Sequence, residues 1–160
     1  MTNLLLRWWG RAQKLPGGEW GFSRILGWII PYTGSISPRV LEVRPRFARV
    51  RMRDRRRFRN HLRCIHAVAQ LNLGEFTTGL AMTSQLSGNG RAIIKNLSIE
   101  FVKKARGTLV AECECQAIDD SRSGDHEILC TVKDRGGDVV SRVVARWLVG
   151  PKKESAGGSD

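Results

Sequence analysis

Asn60-His61-Leu62-Arg63-Cys64-Ile65-His66-Ala67-Val68-Ala69-Gln70-Leu71-Asn72-Leu73-Gly74-Glu75-Phe76-Thr77-Thr78-Gly79-Leu80-Ala81-Met82 opens in a polar, arginine-rich loop and runs into a long apolar segment. At about 100° per residue, Ile65, Ala69, Leu73, Phe76 and Leu80 fall on one side of a helix. Glu75 lies off that stripe, with Asn72 and Thr78 on neighbouring turns. It is the sole carboxylate between Asp54 and Glu100. The spacing predicts a buried helix with one polar seam. A catalytic acid at a helix–helix or dimer seam fits that pattern. So does a salt-bridged or partly exposed glutamate on a core helix.

The 160 residues suffice for one domain with a real core and are short for two. A net charge of +12 invites nucleic acid, a membrane surface or phosphorylated small molecules. Nucleic acid is the weakest of the three, because Trp8, Trp9, Trp20 and Trp28 crowd the N-terminus and basic residues elsewhere lack interleaved aromatics. Cys64, Cys113, Cys115 and Cys130 do not have zinc-ligand spacing, so neither a metal nor another cofactor is expected. They read as structural thiols of a reducing cytoplasm. Leu4-Leu5-Leu6 is too short for a signal-peptide core and is cut off by Arg7.

Residues 2–15 and 19–30 read as amphipathic helices, separated by Pro16-Gly17-Gly18 and stopped by Pro31. They would pack across one end of a sheet, with peripheral membrane contact as the other use of their tryptophans. Residues 39–53 read as one strand whose apolar phase changes near Phe47, which suggests a β-bulge. Arg55-Arg56-Arg57-Phe58-Arg59 follows as a solvated loop or a phosphate cradle. After the helix come four more strand-like runs, 92–103, 108–118, 127–133 and 139–149. Their short Gly/Asp-rich links imply antiparallel hairpins. The plan is a helical segment over 1–30, an α+β domain over 31–150 with about five antiparallel strands wrapped round a long central helix, and a disordered tail over 151–160.

From about Pro31 to Pro151 the chain resembles the hotdog-fold acyl-CoA thioesterases, close to the PaaI-like and related uncharacterised groups. Three motifs carry the likeness. The first is Asn60-His61-Leu62, His66-Ala67 and Glu75, similar to an Asn, a helix start and an acid about nine residues on. The second is Ile99-Glu100-Phe101-Val102-Lys103-Lys104-Ala105-Arg106-Gly107-Thr108-Leu109, where Lys104 replaces the family's proline and the turn is a residue shorter. The third is the last hairpin, Val132 to Val140.

The resemblance implies a catalytic role for Glu75, as nucleophile or general base for water. It implies that the Ala67 N–H polarises the thioester carbonyl, that Asn60 helps hold water or substrate, and that Thr78 supports the carboxylate. A helix N-terminus supplies unpaired N–H groups and a positive dipole end for such an oxyanion. Ala67 and Glu75 are about 12 Å apart along a helix axis. In an enzyme of this type the acid of one subunit must therefore meet the helix start of another. A homodimer follows, whose pairs could assemble into tetramers. The phosphates of acyl-CoA, or an acidic acyl-carrier protein, would meet Lys103, Lys104, Arg106, Arg55, Arg56 and Arg57. His66 would cap the helix or touch substrate. A non-catalytic hotdog module binding acyl-CoA, acyl-carrier protein or lipid is the rival.

Overall fold

The computed structural model describes residues 3–152. Asn3 starts the first helix and ties it to the rest. Its Oδ1 accepts from the Leu5 and Leu6 N–H groups, a side-chain N-cap. Its Nδ2 donates to the Thr83 and Leu86 carbonyls at the far end of the central helix. Helix α1 (Leu4–Ala12) and helix α2 (Gly18–Ile29) pack through an edge-to-face contact of Trp9 on Phe22 at 5.1 Å. Pro31 sits at the start of α3 (Pro31–Gly34), where its missing N–H costs nothing. No helix among the described residues is long and apolar enough to cross a membrane.

Residues 39–53 form a hairpin, not one bulged strand: β1 (Arg39–Arg44) and β2 (Phe47–Met52) pair antiparallel, with Arg44 opposite Phe47. Pro45 fixes one turn dihedral and Arg46 takes φ 68°, so the two-residue turn puts a left-handed residue after a proline. Partners across such a turn share a face while lying an odd number of residues apart, which produces the phase change near Phe47. A bulge does occur, inside β1 between Val40 and Glu42. It lets Val40 and Val43 both face the core.

The central helix, α4 (Ala67–Thr83), is followed by β3 (Gly90–Phe101), β4 (Leu109–Glu114), β5 (Gly124–Lys133) and β6 (Val139–Pro151). The six strands form one antiparallel sheet in the order β1-β2-β4-β5-β6-β3. β4–β5 and β5–β6 are neighbours, as the short links imply. The β3–β4 link is not a hairpin: β3 pairs with β6, so residues 102–108 cross the layer. That crossing passes the start of α4, where Ile65 donates to the Ala105 carbonyl at 2.9 Å. Of the tail expected from 151, Pro151 closes β6 opposite Gly90, and residues 153–160 lie outside the described residues.

The sheet curls around α4 closely enough to bury most of its circumference, so the single apolar stripe of the sequence becomes burial nearly all round. Ser141 donates to Gln70 and Trp147 donates to Thr78, fixing the helix against β6. At Gly74 a methyl group would lie 2.4 Å from Val143 Cγ2 and 2.6 Å from its Cβ. Gly74→Ala should therefore destabilise the protein by about 2 kcal/mol or more through overpacking, measured by urea unfolding. Adding Val143→Ala should recover part of that loss, because it empties the space the new methyl needs.

Candidate active site at the start of the central helix

Phe58, at the end of a 3₁₀ turn (Arg56–Phe58), accepts the His66 N–H at 2.7 Å, so the helix start is held on one side by this turn and on the other by Ala105. Between them, Asn60 organises a tight loop. Its Oδ1 accepts from the Leu62 and Cys64 N–H groups at 3.0 and 3.1 Å, and Arg63 adopts φ 56°. The Asn60 Nδ2 donates to no group among the described residues. His66 is the N-cap of α4: its Nδ1 accepts from the Val68 N–H at 3.2 Å. That leaves the exposed Ala67 N–H, at the positive end of the helix, without an acceptor among the described residues.

A cleft of about 300 Å³ opens at this point, lined by Asn60, Ala67, Gln70, Phe101, Lys103 and Lys104 among others. The structure thus gathers Asn60, Ala67, Lys103 and Lys104 in one place. Gln70, which the sequence reading passed over, belongs with them. It is 4% exposed, its Nε2 donates to the Ile65 carbonyl at 3.0 Å, and its Oε1 accepts from Ser141 at 3.0 Å. The signal was there in principle: an amide one turn into an apolar helix needs partners and therefore marks a fixed point.

Glu75 and Thr78 do not line that cleft. Glu75 sits two turns along α4 on the one incompletely covered edge, with Ala67, Leu71 and Gly79 above and below it. It has no ion pair among the described residues; Arg59 is held instead by Asp54, at 2.7 and 3.0 Å. Burial alone pushes the Glu75 carboxyl above its ordinary range. Thr78 is fully buried and turns away from the acid's carboxylate, donating to the Glu75 backbone carbonyl at 2.8 Å and accepting from Trp147. Asn72, one turn before Glu75, donates to the Tyr32 carbonyl, while its buried Oδ1 has no partner among the described residues.

The expected cations divide. Lys103 is bound by Asp134, at 2.9 Å, and Asp138, which raise its pKa and spend its charge locally. Arg57 donates to Ser37 and lies 4.7 Å over the Phe58 ring. Lys104, Arg106 and Arg56 are exposed and have no carboxylate partner among the described residues. Asp54 is the acid the sequence reading left aside. It accepts from Arg59 and from the Gly107 N–H, so it joins the loop after β2 to the β3–β4 crossing, and Arg59 holds it below the usual carboxylate range.

All four cysteines are buried and free. Cys64 lines the cleft, whereas Cys113, Cys115 and Cys130 do not, and burial pushes the Cys130 thiol up to about 12 and Cys113 higher.

The family described as a domain of unknown function, DUF4442, matches residues 18–149, and the chain belongs to it. No curated protein matches. Among solved structures, genomics APC5556 is 26% identical, with 92% of this chain and 97% of that one covered and a TM-score of 0.79. PA5026 of Pseudomonas aeruginosa, described as a probable thioesterase, is 19% identical over 86% and 97%, with a TM-score of 0.72. The thioesterase SAV0944 of Staphylococcus aureus is 12% identical over 76% and 99%, with a TM-score of 0.68. It has been solved with a glutamine replaced by alanine and with a glutamate fifteen positions later so replaced. The fold is the hotdog fold of these proteins, as the sequence resemblance implied.

The raised Glu75 pKa has a thermodynamic consequence. Burial penalises the ionised form in the folded state, so the penalty is absent below the ordinary glutamate range and complete above the raised folded value. Glu75→Gln should melt above the wild type at pH 8, with the gap closing as pH falls toward 4, followed by thermal scans across pH.

Proposed function

We propose that this protein hydrolyses acyl-CoA or acyl-carrier-protein thioesters at sites shared between two subunits. The observation that carries this reading is Glu75 itself, a half-buried carboxylate with a raised pKa and no ion pair, on the same helix as an unpaired Ala67 N–H. The two stand eight residues apart on an unbroken helix, about 12 Å, so one chain cannot bring both to one carbonyl. Antiparallel apposition of two α4 helices brings the acid of each to the helix start of the other. The strand β3, at the end of the sheet, provides the edge through which two sheets would join.

In this reading the thioester carbonyl sits in the cleft and accepts from Ala67 N–H and Asn60 Nδ2. Water attacks it, giving its proton to the partner's Glu75; or the carboxylate attacks directly, and water cleaves the mixed anhydride that remains once the thiolate has left. Negative charge grows on the carbonyl oxygen next to the helix N-terminus. Collapse breaks the C–S bond, and the thiolate leaves and is protonated by solvent. Lys104, on the cleft wall, offers a free charge to the anionic carrier; exposed Arg106 and Arg56 stand outside the lining, on the crossing and on the 3₁₀ turn. Lys103 serves it less, having two acidic partners. The spacing of Asn60 and Glu75 supports the assignment: it equals that of the two positions altered in the Staphylococcus aureus thioesterase.

The non-catalytic alternative rests on one observation, that the cleft of a single chain contains no acid of its own. The test separates the two. Glu75→Ala and Glu75→Gln should lower thioester hydrolysis about 100-fold or more without changing assembly, read by thiol release and size-exclusion chromatography. Ala67→Pro removes the N–H yet suits the first helical position, and His66 already has the extended backbone (φ −59°, ψ 143°) that precedes proline. It should lose activity while keeping its fold. Mixing Glu75→Ala with Ala67→Pro subunits should restore about a quarter of wild-type turnover, because half the dimers then carry one intact site. Full activity in Glu75→Gln refutes hydrolysis by this acid; no recovery on mixing refutes the shared site.

A further inference from the structure

On the outer face of the β1–β2 hairpin the arginines fall into two groups. Arg44 and Arg49 are matched by Glu42, Glu112 and Glu114. At the other end, Arg39 stands directly opposite Arg51 in the strand register, an arrangement of like charges that costs stability. Arg53 and Arg55 follow on the chain, and Arg24 reaches the same place from α2. These five arginines line a cavity of about 390 Å³. None has a carboxylate within ion-pair distance among the described residues. The Nε atoms of Arg39 and Arg51 are buried without a hydrogen-bond partner among the described residues, as is that of Arg49, but Arg49 has carboxylates beside its other nitrogens and they have none. Burial first, then Arg39 and Arg53, pulls the Arg51 guanidinium below its ordinary pKa. Two tryptophans edge the cavity, Trp20 at 60% and Trp28 at 84% exposure.

A folded protein keeps such a set of uncompensated cations when an anion supplied from outside completes it. Guanidinium forks match phosphate oxygens two at a time. Five of them in one cavity exceed what a single carboxylate needs. The Arg24 guanidinium lies 5.9 Å over the Trp20 ring, and the exposed Trp28 at the rim suits either a planar base stacked over a phosphate or the headgroup zone of a lipid surface. We infer that this cavity binds a phosphate-bearing ligand of two or more negative charges. Its lining shares no residue with the cleft at Ala67, although Arg55 belongs to the basic run first expected to meet the phosphates of acyl-CoA.

Tryptophan fluorescence of the whole protein reads it directly. The probes are inorganic pyrophosphate, adenosine 3′,5′-bisphosphate, and phosphatidylcholine vesicles containing phosphatidylglycerol. The variants are Arg51→Gln and Arg39→Gln, either of which suffices should the other fail to fold. Arg122→Gln, on an exposed turn, makes the same change in net charge. Pyrophosphate should saturate the wild type, bind Arg51→Gln and Arg39→Gln about tenfold more weakly, and bind Arg122→Gln as it binds the wild type. Tighter binding of the bisphosphate, lost in Trp28→Ala, identifies a nucleotide as the source. Vesicle binding that pyrophosphate displaces identifies a lipid headgroup. Equal weakening in Arg51→Gln and Arg122→Gln, or no saturable binding of any probe, overturns the inference.

Discussion

The approach of α4 to β6 at Gly74 governs the rest of the molecule. No side chain separates the helix backbone from Val143 there, so the helix lies deep in the curl of the sheet. Hydrogen bonds from Ser141 to Gln70 and from Trp147 to Thr78 then fix its rotation. Rotation decides which edge stays uncovered, and that edge runs through Ala67, Leu71, Glu75 and Gly79. The partial exposure of Glu75 follows from where the other faces of the helix must go. Its raised pKa follows from the same packing, since the sheet that holds the helix also removes water from the acid.

What the residues disclosed, and what they withheld, divides by range. The helix was legible because its apolar positions repeat within one segment. The β1–β2 hairpin was half legible: the phase change near Phe47 was real, but Pro45 and Arg46 were its cause, and a proline before a left-handed residue reads as a turn. The crossing at residues 102–108 was not legible, because a short Gly-containing link between strands looks the same whether the strands pair or another slips between them. At the candidate site, Asn60 and Ala67 share the cleft as neighbours on the chain tend to. The capture of Lys103 by Asp134 and Asp138 depends on β3 lying beside β6. The five-arginine cavity depends on α2 lying against β1, which no local pattern announces.

The charge of +12 is not spread evenly in its consequences. Five of the fifteen carboxylates are committed to strand-to-strand pairs: Glu42, Glu112 and Glu114 around β1, β2 and β4, Asp125 with Lys95, and Glu100 with Arg142. Asp54 is spent on Arg59 and the crossing. Such exposed pairs contribute little stability each. Their larger effect is to decide which cations remain uncompensated, and two groups of those lie at the hairpin end beside α2 and around the start of α4.

The two ends of the sheet differ in a way that bears on assembly. At β1, the hydroxyl of Ser23 accepts from the Val40 N–H and that of Ser84 donates to the Arg44 carbonyl, so helices have already claimed part of that rim. At β3, the other end of the sheet, no side chain among the described residues bonds the outer backbone groups. In the proposed dimer a like copy would join at β3, and the continuous sheet would then end on both sides in a β1 rim that helices partly cover.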